Sequence, residues 1–222
     1  MNTSVKGIVV ITLLLTGISL AHNAGAKAMD GYIYLVPVGD IDKKVVQAIK
    51  EAIPNSLPAT LKIEITPQEN IPDSAYDPAR KQYSAEIILN DISNKMRLDT
   101  RVENALAIVD ADLYSKDKDF VFGASDAPKM TSVISLARLR NEFYGLKPDN
   151  KLFLKRVIKE ALHELGHTWK LPHCSDQRCV MNSSDNLSAM DKKKSSFCLE
   201  CQKTLRGRYG GPLFRGSLPV LK

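Results

Sequence analysis

The chain reads as an α/β (α+β) domain built on a twisted, mixed β-sheet with packed helices. Short runs of β-branched and aromatic residues alternate along it with longer stretches whose apolar residues recur at helical spacing. Residues 105–109 are apolar without interruption, as a central strand covered on both faces must be. The chemistry is just as unevenly distributed: beyond residue 26, every histidine and cysteine falls between positions 163 and 201.

The elements follow in order. Residues 32–36 form a buried strand ended by Pro37 and Gly39. Asp40 or Asp42 caps a first helix carrying Val45, Val46, Ile49, Ala52 and Ile53, stopped by Pro54. In 60–65, Leu61, Ile63 and Ile65 alternate with Lys62 and Glu64, giving a strand with one face in water. After a loop over 67–76, Asp77-Pro78 reads as a cap and first helical residue. The stripe Ala85, Ile88, Leu89, Ile92 and Met96 belongs to this second helix.

The central strand at 105–109 is closed by Asp110 and Asp112, an Asp-x-Asp that suits a hydrogen-bonded turn better than a cation site. Residues 120–123 and 132–139, joined through Pro128, predict an antiparallel, hairpin-like pair. Pro148-Asp149 opens a long helix whose Leu154, Val157, Ile158, Ala161, Leu162 and Leu165 bury one face. That stripe leaves His163 and His167 turned towards a cleft. The sheet is expected to be backed by the first two helices, with this last helix beneath it.

At 222 residues and 44% hydrophobic content, the chain suits a single domain. Lys6, the apolar stretch 7–20 and Ala24-Gly25-Ala26 have the form of a secretory signal peptide over 1–26, cleaved after Ala26 to leave one domain over 27–222. An uncleaved anchor is the other reading; a cleaved signal leaves no stable membrane insertion and a periplasmic or secreted protein. Losing Lys6 lowers the net charge from +6 to about +5. The late basic residues Lys192, Lys193, Lys194, Lys203, Arg206, Arg208 and Arg215 read as a solvated face. Aromatic residues are not interleaved among them, so no nucleic-acid partner is expected.

His163 and His167 are one helical turn apart, so both imidazoles can reach one metal ion with Glu164 beside its open position. His173 follows six residues later, far enough for the chain to leave the helix, turn behind Pro172 and supply a third ligand. Three neutral imidazoles leave zinc dipositive with one position free. A water there becomes acidic enough for Glu164 to take its proton, as general base and then acid in peptide-bond hydrolysis. Trp169 fits either the cleft or the core.

The string His163-x3-His167-x5-His173, followed by Val180-Met181, matches the metzincin layout of three histidines and a Met-turn. With Cys174 abutting His173, then Cys179 and Cys198-x-x-Cys201, it resembles the archaemetzincin family. Asp110-Ala111-Asp112-Leu113-Tyr114, Phe120-Val121-Phe122-Gly123 and Ser135-Leu136-Ala137-Arg138-Leu139 resemble the same family's catalytic domain. The resemblance implies a metzincin-like fold and a zinc metallopeptidase. His163, His167 and His173 would hold the catalytic zinc above Met181, and Cys174, Cys179, Cys198 and Cys201 a second, structural zinc in a small C-terminal subdomain. It also implies a peptide or protein substrate whose backbone adds to an exposed strand beside the cleft.

Two points stay open. In an exported protein the cysteines could instead close small disulfide loops, Cys174 with Cys179 and Cys198 with Cys201. And Lys170 stands where metzincins have a glycine at a sharp turn, a substitution that supports an alternative: a zinc-containing peptide-binding protein with little or no turnover. Oligomeric state and substrate preference are not legible.

Overall fold

The computed structural model describes residues 31–56, 61–97, 99 and 101–209. The signal reading of 1–26, the start of the second strand at Thr60, the Arg208 side chain and Arg215 lie outside them. In chain order the elements are β1 (Gly31–Val38), α1 (Lys43–Ala52), β2 (Leu61–Ile65), β3 (Tyr76–Asp77), β4 (Gln82–Ser84), α2 (Ala85–Met96) and β5 (Val102–Val109). Then come β6 (Leu113–Ser115), β7 (Lys118–Val121), β8 (Gly123–Asp126), β9 (Thr131–Ser135), α3 (Asn150–Thr168), α4 (Leu187–Lys192) and α5 (Leu199–Tyr209).

The main sheet has the order β2-β1-β5-β9-β8, its first four strands parallel and β8 antiparallel to β9. It is therefore mixed, with β5 at its centre. Side-chain alternation makes two cores. Ile33, Leu35, Leu106 and Ile108 face α1 and α3, where Val46, Ile49, Val157, Leu162 and Leu165 meet them. Tyr34, Val36, Ala105, Ala107 and Val109 face α2 through Ile88, Leu89 and Ile92. The first two helices thus lie on opposite faces, and α1 shares its face with α3. Trp169 is fully buried in the first core, which settles its role as packing.

Pro37 does not end β1, which continues to Val38. Its missing N–H is harmless because β2 has already stopped at Ile65, and the Pro37 carbonyl accepts from Glu69 N at 2.8 Å. Asp42, rather than Asp40, caps α1, accepting from Lys44 N at 2.8 Å.

Three expectations need correction. Asp77-Pro78 does not open the second helix: the Asp77 carboxylate accepts from Ala79 N and Arg80 N in a turn, and Lys81 at φ 56° breaks any continuing helix. α2 starts at Ala85, capped by the Ser84 hydroxyl. The hairpin pairs β8 with β9, so 120–123 is split between two sheets, and 137–139 is a 3₁₀ turn rather than strand. Finally, β3-β4-β6-β7 form a second, small sheet of strands two to four residues long, too short to leave a periodic signal.

Candidate metal centre and cleft

α3 is started by Asp149, whose carboxylate accepts from Leu152 N at 2.8 Å. Its other end matters more. Leu171 N donates to Gly166 O at 3.0 Å and Lys170 N to His167 O at 2.8 Å, the double closure of a Schellman motif. Lys170 occupies its left-handed position at φ 64°, the place where a glycine is usual. The sharp turn inferred at Lys170 is thus made without glycine. It reverses the chain so that His173 comes back over α3.

The three histidines converge, with ligand atoms within 4.8 Å of one another. His163 Nδ1 donates to Val180 O and His167 Nδ1 to Leu171 O, each at 2.8 Å. A carbonyl only accepts, so the ring proton of each sits on Nδ1 and leaves a lone pair on Nε2. The two Nε2 atoms are 3.1 Å apart. Two facing lone pairs at that distance call for a shared cation; with Zn–N bonds of about 2.1 Å, a tetrahedron has edges of about 3.4 Å. Burial, with the nearby Lys193 charge second, pushes His163 down to about 2 and keeps it neutral. His167 and His173 are lowered for the same first reason.

Glu164 is 4% exposed and lies in the same cleft, about 590 Å³, between α3 and the β7–β8 strands. It meets β8 so closely that a Cβ on Gly123 would come 2.7 Å from its Cγ. Burial raises the Glu164 carboxyl well above its usual range and the Glu160 charge raises it further, while a hydrogen bond from the Ser125 side chain works the other way. Glu160, one turn earlier and also 4% exposed, is raised by burial and opposed by Lys193. Lys193 is 3% exposed, lines the cleft and donates to Asn182 O at 3.0 Å. It must be withdrawn from the solvated basic face, to which the exposed Lys192, Lys194, Lys203 and Arg206 belong.

Sequence reasoning did not single out Glu160, Lys193 in this role, or Ser125. The four-residue step from Glu160 to Glu164 was a usable helical signal; nothing in the spacing brings Lys193 or Ser125 to the cleft.

Met181 is fully buried beneath α3, its sulfur packed so tightly that a Cβ on Gly166 would collide with it. Asp110 and Asp112 pair with Arg140 and Arg138 rather than with the backbone of a turn, a structural role but not the one the motif suggested.

The four cysteines form a second convergent group within 4.8 Å, none of them in a disulfide. Cys174 Sγ and Cys198 Sγ are 3.7 Å apart, as are those of Cys179 and Cys201. With Zn–S bonds of about 2.3 Å, a tetrahedral site has S–S edges of about 3.8 Å. These near pairs are not the small-loop pairs that disulfides would close. Burial pushes the Cys179 thiol up to about 11, whereas at Cys198 burial is outweighed by hydrogen bonds from Cys201, Cys174 and Cys179, which lower it.

The chain matches the model of peptidase family M54 over residues 39–207. It is 35% identical to the archaemetzincin of Methanocaldococcus jannaschii over 176 residues, 79% of this chain and 93% of that one. The crystal structure of the Methanopyrus kandleri archaemetzincin superposes with a TM-score of 0.69 at 32% identity, covering 81% of this chain and 96% of that one. A zinc-dependent peptidase from Methanocorpusculum labreanum superposes at 0.68 with 26% identity, covering 78% and 99%.

Proposed function

The chain belongs to peptidase family M54, the archaemetzincins, and from that premise we propose that it hydrolyses peptide bonds with a zinc ion held by His163, His167 and His173. The observation that carries this is the convergence of the His163 and His167 lone pairs, fixed by their Nδ1 bonds, beside a buried carboxyl in an open cleft. Bound zinc would supply a Lewis acid that polarises the scissile carbonyl and acidifies a water molecule.

The chain's own groups do the rest. Glu164 takes the proton as base and returns it to the leaving amine as acid. Ser125 hydrogen-bonds its carboxyl from β8 and Glu160 from the preceding turn. Met181 is the apolar floor under the histidines. The substrate backbone runs along β8, which among the described residues pairs on one side only, with β9. Cys174, Cys179, Cys198 and Cys201 hold a second, structural zinc. Residues 1–26 direct export, so N-terminal sequencing of the protein recovered outside the cytoplasm should begin at Lys27.

The alternative of a binding protein without turnover drew on Lys170. With that residue in the left-handed turn and His173 within reach of the other two ligands, hydrolysis is the better supported reading. Glu164→Gln tests it: turnover of a peptide library should fall by about 10²–10⁴-fold while metal content is unchanged. A wild-type, zinc-loaded protein that cleaves no peptide in a broad library would favour the binding reading.

A further inference from the structure

Beyond the reacting centre, the cleft leads to an aromatic surface that the hydrolytic chemistry does not use. Two elements give the direction. Along α3, Glu164, Glu160 and Arg156 follow at four-residue steps, and Arg156 Nη1 donates to Asn141 Oδ1 at 2.8 Å and to Leu139 O at 3.0 Å. Along the opposite wall the chain runs from Gly123 back to Phe120, which also lines the cleft. The Phe120 wall thus leads to the segment 138–146, which α3 holds from behind through the buried Arg156.

Arg138 is the bridge. Its guanidinium lies 4.2 Å from the Phe120 ring centre and 4.8 Å from that of Phe143, and is fixed by two bonds to Asp112 at 2.5 and 2.8 Å. The pairing neutralises its charge and leaves a stacked surface. Phe143 packs edge-on against Tyr144, with ring centres 5.1 Å apart. Yet Phe143 is 45%, Tyr144 43% and Leu146 58% exposed. The segment is held in place, because Asn141 Nδ2 donates to Lys147 O at 2.9 Å and Gly145 takes a left-handed turn at φ 71°.

An aromatic platform held in place, joined to the cleft wall through Phe120 and the ion-paired Arg138, has the chemistry of a binding surface for an apolar side chain. We propose that Phe143, Tyr144 and Leu146 form an extended subsite that receives an apolar or aromatic side chain of the substrate polypeptide, remote from the bond that is cut. This rests on the peptidase reading above. The two distances through Arg138 put the Phe120 and Phe143 rings within about 9 Å. An extended chain rises about 3.3 Å per residue, so roughly three residues beyond Phe120 bring the substrate over the platform.

Two arms test it. In the first, zinc-loaded wild type and Phe143→Ala cleave a tetrapeptide and a decapeptide carrying tryptophan near one end. The expected result is a five- to tenfold rise in KM for the decapeptide, with kcat and all tetrapeptide constants unchanged. Equal constants on the decapeptide, or the same change on both peptides, overturn the subsite. In the second arm, Glu164→Gln binds the labelled, uncut decapeptide and its tryptophan→alanine analogue. The subsite predicts a Kd lower by about five- to tenfold for tryptophan, a preference that adding Phe143→Ala abolishes; equal Kd values overturn it. Leu146→Ser repeats both arms should Phe143→Ala melt at a lower temperature. If the wild type cuts neither peptide, the peptidase reading fails and the binding arm alone decides the subsite.

Discussion

Lys170 shows how much one residue's backbone can matter to a site it does not enter. Its left-handed φ costs a side chain bearing a Cβ about 1–2 kcal/mol, partly offset by the lower entropy of an unfolded lysine relative to glycine. Lys170→Gly should therefore raise stability by about 1 kcal/mol in urea unfolding, without changing metal content. A loss of stability would mean that contacts of the lysine side chain outweigh the turn. Gly166 presents the opposite case: a methyl group there meets the Met181 sulfur and comes 3.1 Å from Phe197 Cε1. Gly166→Ala is expected to destabilise by about 1–3 kcal/mol, read as a lower urea midpoint. The histidines and Glu164 were legible because helical spacing fixes which residues share a face. Lys193 was not, because a run of three lysines looks like solvent-facing charge, and only the fold shows that its middle member turns inward.

At the scale of elements, the segment 174–182 serves both groups of potential metal ligands. Cys174 N donates to Met181 O at 2.9 Å, Val180 N to Ser196 O at 3.0 Å, and Val180 O holds His163. Its anchorage on the cysteine side includes the bond from Cys198 N to Cys179 Sγ at 3.3 Å. Cys198→Ser should accordingly cost more than a local contact: loss of about 2 kcal/mol corresponds to a fall in Tm of about 4–8 °C in a chain of this size. Calorimetry checks it, and an unchanged Tm would mean that the cysteines do not carry a structural ion. α3 was legible at its start and along its apolar stripe, since Pro148-Asp149 and the periodicity of 154–165 agree. α2 was not, because Asp77-Pro78 makes the same local pattern in a turn, and Lys81 at positive φ leaves no sequence mark.

For the whole molecule, the alternation of strands and helices and the uninterrupted apolar run 105–109 within β5 were enough to anticipate a mixed sheet covered on both faces. Which helix covers which face was not, because that depends on the crossover of each βα unit rather than on either element's own pattern. The small sheet escaped for a related reason: strands of two to four residues are held by partners distant in sequence, such as β4 beside β6. What unites the molecule is the placement of two groups of potential metal ligands near one end of α3, one built of imidazoles and open to a cleft, the other of thiols and partly buried. Elemental analysis of the purified protein and of His163→Ala and Cys198→Ala tests that claim most directly. Two zinc ions per wild-type chain, with one lost in each variant, is the predicted result; a wild-type chain that binds no zinc would contradict it.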